Sequence, residues 1–197
     1  MSNDGVNPGR RRVLTAMTSV VGAAGVVGAA VPFVGSWNPS AKARAAGAPV
    51  EVNIAKLEPG AQLTVEWRGK PVFVVRRTEQ VLENLKKLDS RLRDPSSQKS
   101  IQPAYVDNQN RAIKSQIVVL LGLCTHLGCS PLYRPEVGLQ ELGGASWLGG
   151  FFCPCHGSKF DLAGRVFQGV PAPTNLEVPP HRYLSDSVIL IGEDQEA

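Results

Sequence analysis

The stretches "CTHLGC" (residues 124–129) and "CPCHGS" (residues 153–158) decide how this chain is read. The chain has four cysteines and three histidines, and all four cysteines and two of the histidines fall within the 33 residues from Cys124 to His156. Each stretch brings one Cys–His pair: Cys124-x-His126, then 26 residues, then Cys153-x-x-His156. Cys129 and Cys155 are left over, one from each stretch. Thiolate and imidazole are the usual donors to zinc, iron and copper, so this crowding points to a metal site. A Cys₂His₂ set is one way to hold structural zinc. Zinc fingers, however, usually keep two cysteines in one half and two histidines in the other, and mixed halves are unusual there.

The flanking sequence predicts strands that carry these stretches. "QIVVLLGL" (116–123) is a short apolar run that reads as a buried strand delivering Cys124. "GGFFCP" delivers Cys153 in the same way. "VEVNIA" (50–55) and "QLTVEW" (62–67) alternate like strands, and "PVFVVRR" (71–77) follows the turn "RGK", so 62–77 reads as a hairpin. Thr78 is expected to cap a helix over residues 79–94, with Val81, Leu82, Leu85, Leu88 and Leu92 on one face packed against the sheet. "SVILIG" (187–192) is a closing strand. Trp147, in the 23-residue connector between Cys129 and Cys153, is expected to pack or to touch a partner. His181, alone in "PPHRY", reads as a surface or packing histidine and not as a ligand. Twenty glycines and fifteen prolines in 197 residues suit such a loop-rich β domain and argue against a helical bundle. The predicted fold is an all-β antiparallel domain over 49–197 with one short helix and an insert over about 118–178.

The N-terminus reads differently. Residues 1–48 hold Arg10, Arg11, Arg12, Lys42 and Arg44 against Asp4 alone, a net +4; residues 49–197 hold 16 basic and 16 acidic residues. The main domain therefore has no charge excess for nucleic acid. No charged residue occurs from Val13 to Ala41. About 20 apolar residues cross a hydrocarbon core, and 13–35 is long enough to be a single transmembrane helix. A buried core helix of this length would normally show a polar face, which is absent here. A cleaved signal peptide is the stronger rival, with Ala41, Ala43 and Ala45 as small residues at a possible cleavage site. Residues 1–12 are expected to stay cytoplasmic, because arginines flanking an anchor do so, leaving the main domain outside. "RRRVL" resembles a twin-arginine export signal, a route that carries folded proteins. "SWNPSAKARAAGAP" (36–49) reads as a flexible neck over 36–48; about ten residues of it span roughly 15–33 Å, depending on conformation.

CTHLGC together with CPCHGS resembles the Rieske iron–sulfur proteins of bacterial cytochrome bc complexes, and the resemblance extends over anchor, neck and outer domain. It implies one [2Fe–2S] cluster per chain, with Cys124 and Cys153 on one iron and His126 and His156 on the other. It implies a disulfide between Cys129 and Cys155, which requires an oxidising compartment and so agrees with export. Leu127 and Gly128 of the first loop, and Pro171 in "GVPAP" (169–173), would line the cluster; Pro171 and Pro173 resemble the family's proline loop. Ser158 matches a serine that donates to a bridging sulfide. Two residues later the respiratory branch usually has tyrosine, and this chain has Phe160, so a donor is missing.

The chemistry accounts for the residue types. Two ferric ions, two sulfides and two thiolates give a neutral oxidised core, whereas four thiolates would make it a dianion. An electron is added more easily to the neutral core, so such centres sit at about −150 to +300 mV and plant-type ferredoxins at about −400 mV. Each imidazole has a second nitrogen that faces outward, which couples proton uptake to electron uptake at one ring. The resemblance therefore implies an electron-transfer subunit of ubiquinol–cytochrome c reductase at the inner membrane. Its head would be periplasmic, with His156 and His126 meeting ubiquinol at cytochrome b. The electron would pass to a c-type cytochrome within a homodimeric complex, contributing to proton translocation. The alternatives are the small Rieske subunit of a periplasmic molybdenum oxidase such as arsenite oxidase, and a zinc-stabilised binding module without redox function.

Overall fold

The computed structural model describes Gly5 and residues 7–194, which form two compact units, Met1–Ala45 and Ala46–Ala197. The first unit is dominated by helix α1 (Pro8–Ser36). Asn7 caps it, its side chain accepting from the Gly9 and Arg10 amides at 3.0 and 3.2 Å, and Pro8 takes the first helical position. This start signal places Arg10, Arg11 and Arg12 inside the first turns. Twenty-nine residues, at about 1.5 Å each, exceed the thickness of a bilayer core, and the helix is apolar enough to cross one. Thr15 and Thr18 turn their hydroxyls back onto the carbonyls of Arg11 and Leu14, which gives both donors a partner on the apolar surface. The stretch expected to be a flexible neck contains helix α2 (Ala41–Ala46). The small residues Ala41, Ala43 and Ala45 are also the best helix formers.

The second unit contains three antiparallel three-stranded sheets. One is built from β1 (Val50–Asn53), β8 (His181–Ser185) and β9 (Val188–Ile191), in the order β1-β9-β8. The next is β2 (Gln62–Trp67), β3 (Lys70–Arg76) and β4 (Ile117–Leu121), with the predicted hairpin turning at Arg68 and Gly69. The third is the small sheet β5 (Leu132–Arg134), β6 (Gly150–Phe152) and β7 (Lys159–Phe160).

The middle sheet organises the rest because both its faces are covered. Alternation along β3 and β4 sends Val72, Val74, Val119 and Leu121 toward Val52, Ile189 and Ile191 of the first sheet. Phe73, Val75, Val118 and Leu120 point the other way, into a core shared with Phe151, Phe160, Leu162, Cys124 and Cys153. All five residues of β4 are buried, as its unbroken apolar run predicts. Since β4 belongs to the middle sheet, the insert begins after Leu121. The Phe73 and Phe151 rings stack at 5.7 Å across the junction. A Cβ on Gly122 would lie 2.6 Å from the Phe73 ring, and one on Gly150 would lie 2.0 Å from the Phe160 carbonyl oxygen, so both close approaches require glycine.

The helix after Thr78 is shorter than the sequence pattern predicts. Thr78 caps α3 (Glu79–Lys86) by accepting from the Val81 amide, but a 3-10 turn follows at Asp89–Arg91 and the backbone is extended at Leu92. Asp94 precedes a proline, which disfavours helix there. The expected single stripe is therefore divided: Val81, Leu82 and Leu85 join the core that holds the cysteines, while Leu88 and Leu92 pack with Leu142, Trp147 and Phe167. Trp147 packs rather than offering a contact, being 1% exposed. His181 also packs. It is buried, its Nδ1 lies 2.8 Å from the Pro179 carbonyl oxygen, and burial holds its pKa below the ordinary histidine value.

Three buried arginines fasten the segment after β7. Asp161 accepts from the Ala163 and Arg165 amides and from Arg165 Nε at 2.7 Å, with both side chains fully buried. Arg165 also reaches the Leu85 carbonyl and Asp89, so it ties this turn to α3. Arg111 donates to the carbonyls of Ala163 and Leu176, and Arg77 to those of Leu162, Asn110 and Ser115. Burial lowers the Arg77 and Arg111 pKa values to about 10, which leaves both charged at neutral pH. Removing one member of a buried ion pair costs about 3–5 kcal/mol, because the other charge is stranded. Asp161→Ala is therefore expected to destabilise the chain by about that amount in urea unfolding followed by near-ultraviolet circular dichroism.

Candidate metal centre

The two Cys–His stretches fold as near copies of one loop. In the first, the Cys124 amide donates to the Cys129 carbonyl at 2.7 Å and the Gly128 amide to the Cys124 carbonyl at 2.8 Å. In the second, the Cys153 amide donates to the Ser158 carbonyl at 2.8 Å and the Gly157 amide to the Cys153 carbonyl at 2.9 Å. Each loop thus opens on a cysteine, closes on the sixth residue, and turns at a fifth-position glycine. Gly128 and Gly157 have φ of +81° and +75°, the left-handed region that favours glycine. β4 delivers the first loop and β6 the second, as the apolar runs before them predict.

The loops face each other. Cys124 and Cys153 are each 2% exposed and belong to the same core. The His126 and His156 rings meet edge-on with centroids 4.7 Å apart; His126 is half-buried and His156 exposed. Sulfur donors therefore lie inward and imidazoles outward. Cys129 and Cys155 are joined in a disulfide that crosses between the loops, Cα–Cα 6.7 Å. Burial pushes the Cys124 thiol above its ordinary pKa and the neighbouring Cys153 raises it further, while the His126 backbone amide and the Ser158 hydroxyl pull it down. A bound metal overcomes that upward shift, because coordination displaces the thiol proton.

A third segment covers the pair. Pro171 and Pro173 are exposed and Ala172 between them is buried. The Ala172 amide donates to the Ser158 hydroxyl at 3.0 Å, and the Thr125 hydroxyl donates to the Thr174 carbonyl at 2.7 Å, so each cluster loop holds one end of the proline segment. Arg93 donates to the carbonyls of Val170 and Ala172 at 2.7 and 2.9 Å. Thr125, Arg93 and Thr174 escape a reading by motif. Thr125 is distinguished only by its place between two donors, and Arg93 comes from a distant segment. Leu127 stands out from the first loop at 72% exposure. Phe160 is fully buried in the core with both thiols, and opposite Phe151 across β6 and β7.

The donor chemistry fits a [2Fe–2S] cluster of mixed ligation. Two buried sulfurs share one core, two outward imidazoles meet edge-on on the same two loops, and the remaining two cysteines are used in the disulfide. The sulfurs of Cys129, Cys153 and Cys155 also lie within 4.8 Å of one another, but two of them are already bonded together, so this trio is not a ligand set.

Comparison with known proteins agrees with this geometry. Residues 50–180 match the model of the Rieske [2Fe-2S] domain, and residues 1–40 match that of the ubiquinol–cytochrome c reductase Fe-S subunit TAT signal. The chain is 62% identical to the ubiquinol–cytochrome c reductase iron–sulfur subunit of Allochromatium vinosum, over 99% of this chain and 94% of that one. It is 38% identical to the subunit of the same name from Bradyrhizobium diazoefficiens, over 94% of this chain and 96% of that one.

The disulfide closes a loop between cysteines 26 residues apart, and constraining a loop of that length in the unfolded chain contributes roughly 3–4 kcal/mol. The double variant Cys129→Ser/Cys155→Ser is expected to lose about that much stability in equilibrium unfolding, while the Cys124 and Cys153 thiols stay buried.

Proposed function

The chain belongs to the Rieske [2Fe–2S] family, as an iron–sulfur subunit of ubiquinol–cytochrome c reductase, and on that premise we propose how its residues serve the reaction. Cys124 and Cys153 would hold one iron of the cluster, and His126 and His156 would hold the other through one ring nitrogen each. When bound, the cluster supplies a one-electron couple. Ser158 sits buried behind the sulfurs and orients its hydroxyl toward them. The disulfide and the Thr125–Thr174 and Ser158–Ala172 hydrogen bonds keep the loops and the proline segment closed around the site, which excludes water from the sulfur side.

His156 is the residue that meets ubiquinol. It is exposed, its outer ring nitrogen accepts the hydroxyl proton, and His126 stands beside it. Leu127 of the first loop and Pro171 and Pro173 of the segment bonded to both loops are exposed apolar residues, which suits docking against a lipid-embedded quinol site on cytochrome b. The electron then passes to a c-type cytochrome, in a homodimeric complex that contributes to proton translocation. Residues 13–35 serve as the membrane anchor, Arg10–Arg12 stay in the cytoplasm, and 49–197 stands in the periplasm of a bacterial inner membrane, joined by 36–48. What carries this reading is the pairing of two Cys–His loops with sulfurs buried and an imidazole exposed at the tip. The full-length relatives named above are reductase subunits, so the molybdenum-oxidase reading has no support, and the Rieske match displaces the zinc module.

Extraction of the membranes in detergent is expected to yield the chain together with b-type and c-type haem, and His156→Gln is expected to abolish quinol-dependent cytochrome c reduction. A haem-free chain in a molybdenum enzyme would refute the assignment. Phe160 leaves the buried sulfur side without the phenolic donor that the respiratory branch usually has. Phe160→Tyr is therefore expected to raise the midpoint potential in a redox titration, and an unchanged or lower potential would contradict this role.

A further inference from the structure

We propose that Cys153, while held as a ligand, keeps the Cys129–Cys155 disulfide from rearranging, and that a Cys153 without its metal exchanges with that bridge. This rests on Cys153 being a ligand, as proposed above. The observation behind it is the sulfur trio: Cys153 Sγ lies within 4.8 Å of both disulfide sulfurs, and Cys124 is not part of that group. Cys153 is buried, so its available sulfur partners lie inside the fold. A free thiolate beside a disulfide exchanges with it. Here Cys153 Sγ attacks the sulfur of Cys129 or Cys155, the Cys129–Cys155 bond breaks as the new bond forms, and the displaced sulfur leaves as a thiolate. That thiolate takes up the proton that Cys153 gave up. One disulfide is present before and after, and no oxidant or reductant is consumed.

A coordinated Cys153 has its sulfur lone pair engaged and its position fixed, which closes this route. An exchanged Cys153 lacks the sulfur needed for coordination, so a chain in that form loads only after the bridge exchanges back.

The test uses the full chain in detergent under strict exclusion of oxygen. Half is left loaded and half is stripped of iron with a chelator; both are then quenched in acid, alkylated and mapped by mass spectrometry. The loaded sample is expected to show Cys129–Cys155 alone. The stripped sample is expected to show Cys153 bridged to Cys129 or Cys155 in at least about a tenth of molecules, and more than about tenfold above any bridge from Cys124 to Cys129 or Cys155. Stripped protein that keeps only Cys129–Cys155 overturns the inference and leaves the ligand assignment standing. Cys124 and Cys153 bridged equally often would also overturn it, since that is random exchange in an opened chain. Stripped Cys153→Ser is expected to keep its native bridge; rearrangement in that variant contradicts the role given to Cys153. A starting protein without iron and acid-labile sulfide removes the ligand assignment itself.

Discussion

Two short loops have to meet with their sulfurs facing in and their imidazoles facing out, and the rest of the head serves that encounter. Neither loop has a helix or a strand of its own. Each is held by two backbone hydrogen bonds and a glycine in the left-handed region, and each depends on the strand before it for its position. β4 is anchored because both faces of its sheet are packed, and β6 is anchored through Phe151 stacked on Phe73. The disulfide then ties loop to loop, and the proline segment is bonded to both. A displacement anywhere along this chain of contacts would reach the donor atoms.

The segment from Asp161 to Leu176 shows how irregular backbone is kept inside a core. It contains no regular strand, only isolated bridges and turns, so some of its carbonyls need side-chain donors, and buried carbonyls without partners are costly. Arg77 and Arg111 supply donors, fanning their guanidinium groups over carbonyls at Leu162, Ala163 and Leu176, while Arg165 ties the segment to Asp161, Asp89 and the Leu85 carbonyl. Three buried cations face a single fully buried carboxylate, Asp161, so most of their hydrogen bonds go to backbone oxygen. Arginine suits this task, because its planar fork satisfies several acceptors at once and it stays charged even when burial depresses its pKa.

Much of this was legible in the residues. The unbroken run before Cys124 announced a buried strand, and the spacing of Cys–His pairs announced a metal site. The resemblance of both stretches to one family supplied the disulfide pairing that the structure contains. The helix after Thr78 was overextended because Leu88 and Leu92 keep helical spacing without being helical; a separate cluster around Trp147 claims them. The neck at Ala41–Ala46 reads as flexible by its small side chains and as helical by its propensity, and nothing local decides between the two. The ties made by Thr125 and Arg93, and the arginine fan, rest on contacts spanning 49 to 85 residues, and such partners have no signature in sequence.

The central claim is that one iron is held by two sulfurs and the other by two ring nitrogens. It is tested most directly by growing the protein with ¹⁵N-histidine, reducing it, and recording nitrogen hyperfine couplings at low temperature. The account predicts two strongly coupled histidine nitrogens, with one lost when either His126 or His156 is replaced in any variant that retains iron. A reduced centre with no histidine coupling, or a protein holding zinc in place of iron and sulfide, would contradict it.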